Sequence, residues 1–168
     1  MFLGNSIRTV VLTLMTLATV YGQSNGTPSE PQFSELSRDD AARLQRQRDV
    51  VAAAAKRHSM GPLTGTKADL PALQKLIHEQ AFKKGQTYEL QCLGVAFGDV
   101  LTSELPLRWV MVTDEYGTDP TLRFKNTSIN INALTMISKR VERDEPVDVV
   151  DLLRKTRKAL SDAEKQFR

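Results

Sequence analysis

The chain has 168 residues, with 23 Lys or Arg against 20 Asp or Glu, two His and one Cys. A net charge of only +3 argues against a nucleic-acid binder held by electrostatics. Charged residues at 26% and hydrophobic ones at 40% describe a globular chain, neither disordered nor membrane-spanning, long enough for one domain with a real core.

The N-terminus reads as an export signal. Arg8 precedes the apolar run Thr9 to Val20, and Val20 and Gly22 occupy the −3 and −1 positions of a cleavage site before Gln23. The run is well short of the roughly 20 apolar residues that cross a bilayer. The expectation is therefore a signal peptide over 1–22, a periplasmic or secreted product, and no membrane anchor after cleavage. Residues 23–36, with two prolines and a glycine in QSNGTPSEPQ, read as a flexible linker, and 37–168 as a single domain. The lone Cys92 lies in an apolar stretch and cannot close a disulfide within the chain, so it reads as a buried structural thiol.

Along the domain, Ser37 followed by Asp40 starts a helix of strong helix formers running to about His58. Asp69 caps a second helix with Pro71 in its first turn, and Leu70, Leu73, Ile77 and Ala81 recur at helical steps until Lys84-Gly85. A third helix spans roughly Thr87 to Thr102, with Gly94 and Gly98 one turn apart. Each glycine weakens a helix by about 1 kcal/mol, so the pair implies a close crossing with another element. The period then changes. Leu107 to Thr113, Leu122 to Lys125 and Ser128 to Asn132 read as three strands of an antiparallel meander. Leu134 to about Arg143 is helical again, and Asp148 caps a last helix with the stripe Val149, Leu153, Thr156 and Leu160. The class is α+β: N-terminal helices, a small three-stranded meander, then C-terminal helices packing on the sheet.

The segments LGVAFGDVL, LRWVMVTDEYGTDPTLRF and MISKRVERDEPVDV together resemble a bacterial family, the domain of unknown function thirty-eight-oh-six. The resemblance covers about residues 90–153. It rests most specifically on Gly94, Gly98, Trp109, Asp114, Glu115, Gly117, Lys139, Arg140 and Glu142. It implies a bacterial origin and carries no catalytic assignment.

Templates for catalysis find no match: no nucleophile elbow, no phosphate-cradling loop, no metal-binding cysteine pair and hence no implied cofactor or metal. His78-Glu79 begins like a zinc-protease helix, but Phe82 stands where the second histidine belongs. Asp114 and Glu115 are adjacent and point to opposite sides of an extended segment, which disfavours a shared acid/base dyad. The cations Lys139 and Arg140 either pair internally with those acids, orienting helix against sheet, or form an exposed patch. Trp109 reads as core, and Glu142 with Gly94 and Gly98 as structural. The basic face of the last helix, Arg154 to Lys165, is diluted by acids and reads as a solvated face.

The leading expectation is a non-catalytic module that binds a protein, such as an envelope accessory or an immunity-type inhibitor. Its contact edge is formed by Asp114, Glu115, Tyr116, Gly117, Lys139 and Arg140. The first alternative is a small envelope hydrolase with Asp114 or Glu115 as general base. The second is a self-associating structural protein using the Gly94/Gly98 face or the C-terminal stripe.

Overall fold

The computed structural model describes residues 31–115 and 117–166. The signal-peptide reading, the first part of the linker and the proposed contact residue Tyr116 lie outside the described residues. The elements run in the order β1 (Gln32–Ser34), α1 (Arg38–Arg57), α2 (Leu70–His78), α3 (Thr87–Glu104), β2 (Leu107–Asp114), β3 (Gly117–Phe124), β4 (Asn130–Ile131), α4 (Ala133–Glu142) and α5 (Val149–Gln166). The α+β class and the alternation of helical and extended segments stand as expected.

The sheet differs in extent. It has four antiparallel strands in the order β1-β2-β3-β4, not three. The extra strand comes from the segment read as flexible linker, where Gln32, Phe33 and Ser34 pair with Thr113, Val112 and Met111. The one apolar residue of that strand is Phe33. Phe33 stands beside Val112 in the ladder, and the Arg123 guanidinium lies 4.4 Å over its ring. The middle strand also starts earlier than its apolar residues suggest, at Gly117, and takes in Pro120 opposite Met111. Proline has no N–H for a ladder, but β4 pairs only with Leu122 and Arg123, so β3 at Pro120 has no outer neighbour that needs one.

The helices begin where the sequence places them. Ser37 and Asp40 form a reciprocal capping box at the start of α1, and Asp148 Oδ1 accepts from the N–H groups of Val150 and Asp151 at the start of α5. Asp69 is the correction. A turn of 3₁₀ helix over Lys67–Asp69 precedes α2 and leaves Asp69 in helical backbone geometry (φ −81°, ψ −13°), so its carboxylate does not cap α2. It reaches back to accept from the N–H groups of Thr64 and Gly65 and from the Thr64 hydroxyl.

Three helices end in the same way, without the glycine that marks such ends in a sequence. After α1, α2 and α4 the chain passes through Ser59 (φ 57°), Gln80 (φ 49°) and Asp144 (φ 56°). The next N–H then folds back: Met60 to Ala55 O, Ala81 to Leu76 O, and Glu145 to Arg140 O. These are Schellman closures, and an L-residue in the left-handed region costs roughly 1–2 kcal/mol. The second helix accordingly stops at His78, short of the expected Ala81.

The core is built around α3. Every residue from Cys92 to Gly98 is buried, which only a helix packed on all sides allows. Phe97, Leu90, Leu93 and Leu101 meet Leu73 and Leu76 of α2, Val51 of α1, Ile137 of α4, Leu152 and Leu153 of α5, and Leu107 and Leu122 of the sheet in one cluster. The two glycines are the points of closest approach. A Cβ on Gly94 would sit 2.5 Å from the backbone oxygens of both Ala133 and Leu134, and one on Gly98 would sit 2.4 Å from the Trp109 ring.

Two stability measurements check these local arguments. Gly94→Ala meets backbone that cannot rotate away, so chemical denaturation is expected to show a loss of about 2 kcal/mol or more. Gln80→Gly relieves the left-handed strain at an exposed position and is expected to raise stability by about 0.5–1 kcal/mol.

Candidate functional site

The β2–β3 hairpin turns tightly, with Asp114 opposite Gly117 across the ladder and Glu115 in the two-residue loop. Gly117 takes φ 128°, a conformation L side chains rarely adopt, and a Cβ there would meet nothing within 4 Å. Glu115, Gly117, Thr118 and Asp119 are exposed and Asp114 is half-buried. Asp119 pairs with Arg43 of α1 at 3.7 Å, tying the hairpin to that helix.

Lys139 and Arg140 are not brought to these acids. Among the described residues no ion pair joins them to Asp114 or Glu115; Arg140 Nη1 donates instead to Met136 O one turn back on its own helix, and Lys139 is exposed. Glu142 reaches a different element. Its carboxylate accepts from Gly85 N (3.1 Å) and from the Thr87 hydroxyl (3.1 Å) just ahead of α3, where a helix's unsatisfied N–H groups favour an anion.

The ion pair that orients helix against sheet is one the sequence did not suggest. Arg48 of α1 donates through Nε (2.7 Å) and Nη2 (2.8 Å) to the two oxygens of Asp99 on α3. Trp109 of β2 adds its Nε1–H to Asp99 Oδ1 at 2.9 Å. One carboxylate thus joins two helices and the sheet, and its hydrogen bonds push the Arg48 guanidinium above its ordinary value. Trp109 is partly buried and packs against the core, and its indole N–H makes it a polar anchor as well.

The Arg48–Asp99 pair opens onto a cleft of about 380 Å³ between α1, α3 and the loop before α2. Gln45, Arg48, Asp49 and Ala52 form one wall, Ala96 and Asp99 another, and Leu63, Thr64, Gly65 and Asp69 the third. A second cavity of about 630 Å³ lies at the other end of α3. Its floor is apolar (Ile77, Phe82, Leu90, Leu93, Val141, Val147), and Lys84 and Asp144 pair across its rim at 2.5 Å. Asp114 and Glu115 line neither cavity. His58 pairs through Nδ1 with Glu79 at 2.5 Å, linking the ends of α1 and α2, and His78 is exposed.

The surfaces suggested for self-association are occupied within the chain. Gly94 and Gly98 pack on α4 and Trp109, and Val149, Leu153, Thr156 and Leu160 of the C-terminal stripe are buried. On the outer face of α5, Lys155 pairs with Asp151, Lys158 and Lys165 with Asp162, and Arg157 with Glu104. The cations of that face are thus engaged in local ion pairs.

Residues 69–152 match a protein family described as Domain of unknown function (DUF3806), which covers half of the chain. The chain belongs to this family. The match begins at Asp69 and so takes in α2, α3, strands β2 to β4 and α4, but not β1. No curated protein matches the sequence. A crystal structure from Bacteroides thetaiotaomicron VPI-5482 shares the fold, with a TM-score of 0.69 at 15% identity over 80% of this chain. The aligned region is 50% of that protein's chain, so this chain spans about half its length.

Cys92 is fully buried, and burial pushes its thiol up to about 11. Between pH 9 and about 11 the folded chain keeps a proton that the unfolded chain releases, so this thiol makes stability fall as pH rises through that window. Native protein at pH 8 is expected to leave Cys92 unreacted with a thiol reagent over minutes, with one equivalent titrating on denaturation. Rapid labelling of folded protein would contradict the buried placement.

Proposed function

We propose that the protein is a non-catalytic binding module, exported to the periplasm or secreted, that recognises another protein through the tip of the β2–β3 hairpin and the adjoining face of α1. The observation that carries this reading is the exposure of Glu115, Gly117, Thr118 and Asp119, held by an eight-residue β2–β3 ladder and by Arg43. A charged projection on a stiff ladder loses little conformational entropy when it docks. Arg43 stands beside it on α1, and Tyr88 at the start of α3 is 50% exposed. Tyr and Arg at a fixed surface are the residue types that anchor protein interfaces. Export is supported by the N-terminal pattern of Arg8, a short apolar run and a small residue at Gly22. For the hydrolase alternative, a general base at Asp114 or Glu115 needs a concavity to exclude water, and neither acid lines one of the two cavities described.

The test is affinity capture from a native envelope extract with residues 23–168 as bait, beside the same bait carrying Glu115→Lys and Asp119→Lys. The expected result is one stoichiometric protein whose recovery drops about tenfold or more on the charge-reversed bait, which still melts cooperatively and loses no more than about 1 kcal/mol with the exposed Arg43 pair. Equal recovery by both folded baits, or nothing above background, overturns the reading. Fractionation of cells expressing the full chain tests export separately.

A further inference from the structure

We infer that the cleft beside the Arg48–Asp99 pair binds a small aliphatic zwitterion of the α-amino-acid class. The site shares no residue with the hairpin and stands independently of the protein-binding reading. Its volume, about 380 Å³, falls in the range of small-molecule sites.

The decisive feature is which edge of Arg48 is used. Asp99 takes the Nε and Nη2 side of the guanidinium. The outer edge, formed by Nη1 and the second N–H of Nη2, keeps its donors, and two parallel donors on that edge fit a carboxylate as a fork. The Arg48 side chain is 31% exposed against 19% for Asp99, so the guanidinium is the more open partner at the cleft. Asp99 is itself fixed by Trp109, which makes the fork a preorganised one.

A simple anion does not fit the remaining lining. Asp49, Asp69 and Asp99 outnumber Arg48 there, so a carboxylate needs a positive charge of its own close by. Asp69 is spent on Thr64 and Gly65. Asp49 is not: its Oδ1 accepts from Gln45 Nε2 at 2.9 Å, while Oδ2 and Gln45 Oε1 remain as acceptors for an ammonium. Ala52, Leu63 and Ala96 supply the apolar surface against which a short aliphatic side chain packs.

The experiment is a ¹H–¹⁵N titration of the folded domain with L-leucine, compared with 4-methylpentanoate, which lacks the ammonium, and 3-methylbutylamine, which lacks the carboxylate. Saturable shifts are expected at the amides of Thr64 and Gly65 and at Arg48 Nε. Each analogue is expected to bind about tenfold or more weakly than leucine. Asp49→Asn, an exposed change that keeps the fold, is expected to weaken leucine about tenfold, and Arg48→Lys to abolish binding while keeping the charge. If Arg48→Lys does not fold, Asp49→Asn alone carries the test. No saturable shift up to about 10 mM leucine, equal binding of either analogue, or unchanged binding by Asp49→Asn overturns the inference.

Discussion

The closeness with which α3 is approached governs the rest of the molecule. At Gly94 the backbone of α4 comes so near that a methyl group would stand 2.5 Å from two carbonyl oxygens, and one turn later the Trp109 ring takes the corresponding space over Gly98. A helix enclosed on all sides contributes nearly its whole surface to the core, which offsets the helix propensity that the two glycines forfeit. The same approach has an electrostatic result. With the benzene edge of the indole against Gly98, its N–H comes within 2.9 Å of Asp99, the next residue along the helix. The packing constraint and the Arg48–Asp99 junction are one arrangement, and loosening the first moves the second.

Charge in this chain does more inside than its near-balance implies. Glu142 satisfies the start of α3, Asp69 holds the loop before α2, and Asp99 binds two elements. Gln74 works in the same way without charge, donating to Val147 O and accepting from Val149 N to fasten α2 to the beginning of α5. Anchors of this kind bind segments distant in sequence, by 75 residues for Gln74 and Val149 and 51 for Arg48 and Asp99. They explain how a small sheet with short edge strands keeps a fixed position against five described helices. Gln47 is the exception: its amide is fully buried on α1 and neither its nitrogen nor its oxygen has a partner. A burial of that kind costs about 1–3 kcal/mol, which the surrounding apolar contacts must outweigh.

How much of this was legible follows from the range of each signal. Helix starts were legible because capping is local: Ser37 with Asp40, and Asp148 with its two following N–H groups, lie within one turn. The glycine pair on α3 was legible as a close crossing because a cost in propensity demands a compensation. The ends of α1 near His58 and of α4 near Arg143 were legible as well, but that of α2 was not, since Gln80 closes it where glycine is the usual marker. Nor was β1, where one phenylalanine among polar residues gives no periodicity to detect. Pro120 concealed the first half of β3 for a sound reason, the missing N–H, which the absence of an outer neighbour made harmless. Asp114, Glu115, Lys139 and Arg140 lie in the segments that carry the family resemblance, but Arg140 turns to Met136 O on its own helix and not to the acids. Arg48 and Asp99 meet only through the packing of α1 on α3, a juxtaposition that no local pattern encodes.

The family boundary bears on where function resides. The matched segment, 69–152, holds Asp99 and Trp109 but not Arg48, which lies on α1 before it. The fold shared with the Bacteroides structure extends over 80% of the chain, more than the matched half can contain, so it takes in residues ahead of Asp69. At 15% identity such a likeness preserves the path of the backbone while leaving the side chains free to differ. The hairpin is built wholly within the matched segment, whereas the cleft draws its α1 wall and Leu63, Thr64 and Gly65 from outside it. The two surfaces therefore answer to different constraints. The hairpin tip is held by a ladder that the domain builds for itself, and the cleft exists only where α1 delivers an arginine onto Asp99.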